Sequence, residues 1–392
     1  MEIRFKRIYR RYSYHTVSKK TILLIIFIFQ SFSVINSQDT LKIKFRSRAL
    51  MDATISDYAD NKIKEYFRIE DFRAGFSARY MNNEIKVDMG YSNGEWKLKD
   101  FIYNYKFRKS TLSIGNMYEP FSMDMLISTA DLRFNQSATS VQIFTNSRRL
   151  GSVFHSYDKN YYFATGVFLD SDINNISQNT GNAYILTNRG VWIKSTENKK
   201  SMLHIGGAVS LCLYRNNSSE ESKTTLKSYG ITSMFSQPLL TADINCIKNK
   251  LKAMTEILYV TNKIMLQSEY FIQNINRSSE LHNYFSHGGY IQGSFLIKGK
   301  GFDYDSKYAV PCAPTSDNSI ELAVRVNYTD MNHYKANIMG GEEFDFSVGM
   351  NYYFSKYFGA KINLSFVDIG KNCNSFYNKN LLLFQTRIQY IF

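Results

Sequence analysis

The chain has 392 residues, with 48 Lys+Arg against 34 Asp+Glu and a formal charge of +14. Apolar residues make up 44% and aromatics 15%, with 29 Tyr and 29 Phe against only 4 Pro. So aromatic-rich a chain can bury surface, which excludes disorder and collagen-like or low-complexity classes; a mean hydropathy of −0.32 with no apolar run of about 18 residues excludes a bundle of membrane-spanning helices.

The first element is an address. Arg4, Lys6, Arg7, Arg10, Arg11, Lys19 and Lys20 precede an apolar core from Ile22 to Phe29, and small or polar residues follow near Ser37 and Gln38. A basic region, a short apolar run and a small residue before the cut describe a secretory signal peptide over residues 1–37. A buried N-terminal helix fits the charge asymmetry less well. Without this segment Lys+Arg falls from 48 to 41 and Asp+Glu from 34 to 33, so the charge drops from +14 to +8. The basicity then gives no reason to expect nucleic acid as a partner, and no dense Lys/Arg stripe appears later.

From residue 38 onward the chain alternates with a period of two. Leu41, Ile43, Phe45, Ala49, Met51, Ala53 and Ile55 fall on one face, while Lys42, Lys44, Arg46, Arg48, Asp52 and Thr54 fall on the other. Successive strand side chains point to opposite faces, so the segment is a strand with one apolar and one charged face. Phe72 to Tyr80, Ile85 to Met89 and Phe101 to Phe107 repeat the pattern, as do Ile320 to Tyr328, Phe344 to Phe354 and Phe358 to Phe366. Met81-Asn82-Asn83, Ser92-Asn93-Gly94, Asp158-Lys159-Asn160 and Glu197-Asn198-Lys199-Lys200 carry hairpin-turn chemistry. Longer polar links run near 171–182, 215–225, 274–283 and 300–318, and helical periodicity is confined to about 119–135.

A soluble sandwich would alternate too. Here the apolar face is Phe, Tyr, Ile and Leu in strand after strand with Tyr and Trp at its ends, and the other face is rich in Lys, Arg, Asp and Asn. That combination predicts an all-β transmembrane antiparallel barrel over residues 38–392, with lipid on one side and a wet lumen on the other. At roughly 22 residues per strand and connection, the length gives about 16 strands; a direct count of candidate strands gives about 17. In the last strand Phe384, Ile388, Tyr390 and Phe392 share a face opposite Gln385, Arg387 and Gln389. It resembles the C-terminal signal read by bacterial barrel-assembly machinery, and outer-membrane lipid is the expected surroundings.

Cys212, Cys246, Cys312 and Cys373 are far apart and show no metal-ligand spacing. His155, His204 and His333 have no partner pattern, Asp124 and Asp131 have no diagnostic spacing, and neither Gly-x-Ser-x-Gly nor His-Glu-x-x-His occurs. The reading is a non-enzymatic protein without metal or cofactor.

Residues Glu70 to Phe168 resemble the phosphate-selective porin O and P family. The resemblance is carried by Asp71-Phe72-Arg73-Ala74-Gly75-Phe76, Leu98-Lys99-Asp100-Phe101-Ile102-Tyr103-Asn104-Tyr105 and Leu112-Ser113-Ile114-Gly115-Asn116. It continues in Glu119-Pro120-Phe121-Ser122, Arg148-Arg149-Leu150-Gly151 and Tyr162 to Phe168, with echoes in Gln267-Ser268-Glu269-Tyr270, Gly289-Tyr290-Ile291-Gln292, Glu321-Leu322-Ala323-Val324-Arg325 and the last strand. It implies a 16-stranded, usually trimeric barrel that passes phosphate-like anions. It also implies a third outer loop, about 119–147 here, that folds into the lumen. One departure is that Phe134 is followed by Asn135-Gln136-Ser137, where the family carries a charged group; this weakens the implication of strict phosphate selectivity.

An anion path needs positive charge at a constriction with low-dielectric walls, and Arg offers a planar fork of donors to phosphate. Alternation puts Arg46, Arg48, Arg73, Arg79, Lys86, Arg325 and Arg387 on the lumen face. Arg133 lies in the presumed loop, with Arg148 and Arg149 at its end. The competing expectation is that such residues form structural ion pairs with Asp52, Asp71, Asp88, Glu84 or Glu321. The function read from the sequence is passive diffusion of small anions. A general porin with weak charge preference and a structural or adhesive barrel are the alternatives; a secreted β-rich enzyme fits least.

Overall fold

A computed structural model describes residues 40–57, 63–92, 95–175, 183–196, 201–215, 222–278, 280–314, 316–373 and 380–392. The signal peptide expected at 1–37 lies outside them. The first nine strands are β1 (Lys42–Asp57), β2 (Ile63–Tyr80), β3 (Asn83–Ser92), β4 (Glu95–Phe107), β5 (Ser110–Met117), β6 (Arg149–Tyr157), β7 (Tyr161–Leu169), β8 (Ala183–Ser195) and β9 (Ser201–Tyr214). A hairpin of β10 (Lys223–Ser228) and β11 (Leu240–Asn245) follows, then β12 (Ile247–Thr261), β13 (Ile264–Arg277) and β14 (Tyr284–Lys298). A short pair, β15 (Tyr304–Asp305) and β16 (Val310–Pro311), precedes β17 (Ser319–His333), β18 (Ile338–Tyr353), β19 (Phe358–Ile369) and β20 (Asn380–Ile391).

Setting aside the two hairpins, β10–β11 and β15–β16, the sixteen remaining strands close one antiparallel barrel, with β20 pairing β1 from Arg48↔Ile391 to Ser56↔Leu383. Closure pairs the strand edges that lipid could not satisfy. Alternation sorts the faces as the sequence predicts: in β17, Leu322, Val324 and Val326 point outward while Glu321, Arg325 and Asn327 are buried within. Trp96 packs edge-on to Phe72 at 5.9 Å and against Tyr91 at 5.5 Å on the outer surface near one rim. Trp192, about half exposed, pairs with Tyr161 near the other. These are the two interfacial girdles.

Among the described residues the register shifts at five places, and two of these β-bulges bear on the site. Leu50 pairs with Asp71 and Met51 with Ile69, so Glu70 is extra; Asp88 pairs with Asp100 and Met89 with Leu98, so Lys99 is extra. A bulge lets consecutive residues point the same way. Asp71 and Asp100 thereby stay in the lumen while Ile69 keeps its place on the apolar outer surface, 47% exposed.

The lumen is not wet throughout. At the end bearing the long loops, the inner faces are apolar: Phe271, Ile275, Val367, Leu381 and Leu383 bury against Ile231, Phe235 and Leu240 of the 229–244 region. This explains runs such as Leu381-Leu382-Leu383-Phe384, apolar on both faces. The 300–318 connection, grouped above with the long loops, instead lies at the opposite end. Counting ends along the chain puts it with the short turns at 81–82, 108–109, 158–160 and 262–263. It folds inward because Arg189 of β8 donates to the carbonyls of Tyr308 and Ala309, both at 2.7 Å.

Candidate permeation site

The β5–β6 connection crosses the lumen with two short helices, α1 (Met123–Leu126) and α2 (Thr139–Phe144); of the helical signal expected at 119–135 only α1 is realised, and α2 lies beyond it. Glu269 of β13 seats the start of α1. Its carboxylate accepts from the backbone N–H of Met123 (2.7 Å) and Asp124 (3.0 Å), from Ser122 Oγ (3.2 Å) and from the Tyr290 hydroxyl (2.8 Å). Carboxyl oxygens thus satisfy the free amides of a helix start.

Beyond α1 the wall takes hold of the loop's carbonyls one after another. Arg387 donates to Thr129 O (3.3 Å), and Lys361 to Ala130 O (3.0 Å) and Leu132 O. Asn351 donates to Arg133 O (3.0 Å) and Arg325 to Gln136 O (2.9 Å). Phe144 of α2 stacks on Phe271 with ring centres 5.7 Å apart. The loop is thus fastened to the wall of β12–β20. A cavity of about 450 Å³ is left between the loop and the wall of β1–β6.

Five of the predicted residues line that cavity: Arg46, Arg48, Arg73, Lys86 and Arg148. Arg48 Nε and Arg73 Nε share Asp71, at 2.7 Å and 3.0 Å. Arg46 Nη2 and Lys86 Nζ share Asp88, at 3.1 Å and 3.3 Å. Lys86 also reaches Asp100 at 2.6 Å, where it meets Arg148. Five cations therefore face three carboxylates. Arg46 and Lys86 have the most accessible side chains, 40% and 29% exposed. Gly75 makes the Arg46–Asp88 pair possible, because a side chain there would collide with the Asp88 carboxylate. Arg148 stacks its guanidinium 4.1 Å over the Tyr118 ring and donates to its hydroxyl at 2.7 Å.

Asp124 and Asp131 of the loop and Asp305 of the 300–318 connection also line the cavity. Burial pushes Asp124 and Asp131 above the ordinary carboxylate range. Both lie beside the cationic wall in a form that gives up charge easily.

The other five predicted residues lie away from the cavity lining. Arg387 is held by both oxygens of Asp52, at 2.6 and 2.7 Å. Arg133 is buried, paired with Glu321 at 3.1 Å, and donates to Asp131 O and Cys312 O. Arg325 lies 4.5 Å over Phe134 while holding Gln136. Arg149 pairs with Glu119 (3.3 Å) and Asp170, and Arg79 with Glu84 (2.8 Å). For Arg133, Arg325 and Arg149 a local carboxylate or carbonyl takes the cation and burial closes it off, whereas Arg79 stays 47% exposed outside the cavity lining. Sequence reasoning missed Tyr118, His155 and Tyr308, which also line the cavity. Tyr118 follows β5 and His155 lies on β6, and an aromatic on an inner face gives no signal of its own.

The fold and its lined cavity define an outer-membrane β-barrel channel. The phosphate-selective porin O and P family model matches residues 30–392, and the chain belongs to that family. Its barrel is similar to OmpT of Vibrio cholerae (TM-score 0.58, 11% identity, 92% of this chain and 100% of that one). It is also similar to OprB of Pseudomonas putida (0.59, 9%, 89% and 94%) and to the outer-membrane channel DcaP of Acinetobacter baumannii (0.54, 9%, 91% and 99%). At these identities the likeness is one of fold. No curated protein sequence matches the chain. The protein is located in the outer membrane and acts as a channel rather than as an enzyme.

Proposed function

We propose that this porin gives passive passage to small anions such as phosphate, through the cavity between the inward loop and β1–β6. The observation that carries this reading is the cluster of Arg46, Arg48, Arg73, Lys86 and Arg148 around Asp71, Asp88 and Asp100; with Asp305, which also lines the cavity, five cations stand against four wall carboxylates. A surplus of positive charge in a narrow, low-dielectric passage attracts anions and repels cations. The raised affinity of Asp124 and Asp131 for protons reduces the opposing negative charge.

In this reading residues 1–37 direct export, the last strand is read by the barrel-assembly machinery, and the barrel works as a homotrimer. A trimer form of Vibrio cholerae OmpT supports that assembly. The test is the reversal potential of the refolded protein across a KCl gradient. Chloride preference is expected, reduced in Arg46→Ala/Lys86→Ala. Equal permeability to both ions favours the general porin, and a barrel without conductance the structural one.

A further inference from the structure

We infer that the pore is shaped for an organic anion, an aryl or short-alkyl phosphate or carboxylate, with its charge on the Arg46–Lys86 wall and its apolar body against a shelf made by His155, Tyr162 and Tyr308. The inference rests on the anion reading above and names the solute class of the same cavity.

The inner face of the cavity changes character along its length. Lys86 pairs in register with Ile102, Ser113 with Val153, and Thr111 with His155. From the level of Lys86 toward the short turns the lining therefore adds Ile102, Val153 and aromatic rings beside Asn104, Ser113 and Asp305. Ile102 occupies an inner-face position between Asp100 and Asn104, where a pathway for inorganic ions alone would carry a polar group. Of this lining Ile102 and Tyr308 are half-buried, while Val153, His155 and Tyr162 are 5% exposed or less; the part that meets water is unfavourable unless something apolar covers it.

The shelf is held rigidly. The His155 ring lies 5.8 Å from Tyr308 and 6.4 Å from Tyr162, stacked on the latter within 28°. Tyr308 is placed by its backbone, through Arg189, and its half-buried ring lines the cavity with the Lys307 ammonium 4.8 Å from its centre, a further cation beside the shelf. His155 is 2% exposed, and its buried Nε2 has no hydrogen-bond partner. A buried polar atom without a partner, lining a cavity, is a site awaiting a donor or acceptor from a ligand. The cavity's size is that of a small-molecule pocket. An aromatic ring on the shelf would meet ring faces and edges at favourable separations, while its phosphate or carboxylate met the guanidinium groups.

The experiment compares inorganic phosphate with phenyl phosphate as blockers of chloride current through the refolded porin in planar bilayers. Phenyl phosphate should half-block at about one tenth of the concentration of inorganic phosphate. Tyr308→Ala, which keeps the carbonyl that Arg189 holds, should erase that advantage, and Tyr308→Phe should retain it. His155→Asn provides a second variant should Tyr308→Ala fail to assemble, and should also weaken phenyl phosphate selectively. Equal half-blocking of the wild-type channel, or an advantage that survives both Tyr308→Ala and His155→Asn, overturns the inference while leaving the anion reading intact. Cation preference in the KCl gradient overturns both.

Discussion

Arg387 grips both carboxylate oxygens of Asp52, at 2.6 and 2.7 Å, across the seam where the last strand meets the first. Both side chains are buried. Removing one partner strands the other charge inside the barrel, a loss of about 3–5 kcal/mol. Arg387→Ala should therefore lower the midpoint of urea unfolding sharply. Replacing the pair together, Asp52→Leu with Arg387→Met, should recover most of the loss.

Lys361 is also buried, and its ammonium holds two loop carbonyls. Lys361→Met leaves those acceptors unsatisfied, at a cost of about 1–3 kcal/mol in loop docking. The expected outcome is noisier open-channel current, with the inward loop more open to proteolysis. A quiet channel of unchanged conductance would show that the remaining clasps suffice.

Glu269→Ala removes the acceptor shared by Met123 N, Asp124 N, Ser122 Oγ and Tyr290 OH. Several polar groups then lose their partner at one point, so the loop's first turn should detach. Larger single-channel conductance with weaker ion discrimination is expected. Glu269→Gln should show a smaller effect, since one oxygen still accepts.

Asp124 and Asp131 hold protons more tightly in the folded protein than their ordinary value of 3.8 allows. A carboxyl whose folded pKa is raised stabilises the fold below its unfolded pKa. That contribution is lost as pH rises through the raised folded value. Acidification from about pH 7 to about pH 4 should thus neutralise both, raise the chloride-to-potassium permeability ratio and fasten the loop. In Asp124→Asn/Asp131→Asn the ratio at neutral pH should already be high and should change less on acidification. Reversal potentials measured across the pH range decide.

Val324 and Arg325 are neighbours in β17 with opposite surroundings, one 48% exposed on the outer face and the other 3% exposed inside. Val324→Lys should cost about 2–4 kcal/mol at mid-membrane depth. It should appear as reduced heat-resistant folded barrel on gels. A fully folded Val324→Lys barrel would put that surface in water.

The barrel was legible because alternation is a local property: Phe344 to Phe354 reveal their faces without reference to any other strand. The bulges at Glu70 and Lys99 were not, since an extra residue shows only against its partner strand. The site was legible in part. Arg46 and Arg387 look alike in sequence, each a cation on an inner face. One remains 40% exposed, whereas the other is closed off by Asp52 and Thr129. The distinction lies in contacts separated by hundreds of residues. Tyr308 was hidden for a related reason: nothing local says that its segment enters the barrel, because Arg189 supplies the reason from another strand.

The carbonyl clasps have a consequence for how such a channel can diversify. Anchorage is assigned to Lys361, Arg387, Arg325 and Glu269, none of which lines the cavity, while Arg46, Lys86 and Tyr308 line the proposed passage. Substitutions at the second group can retune what passes without loosening the frame. A lineage could exchange one cargo for another while its architecture stood still.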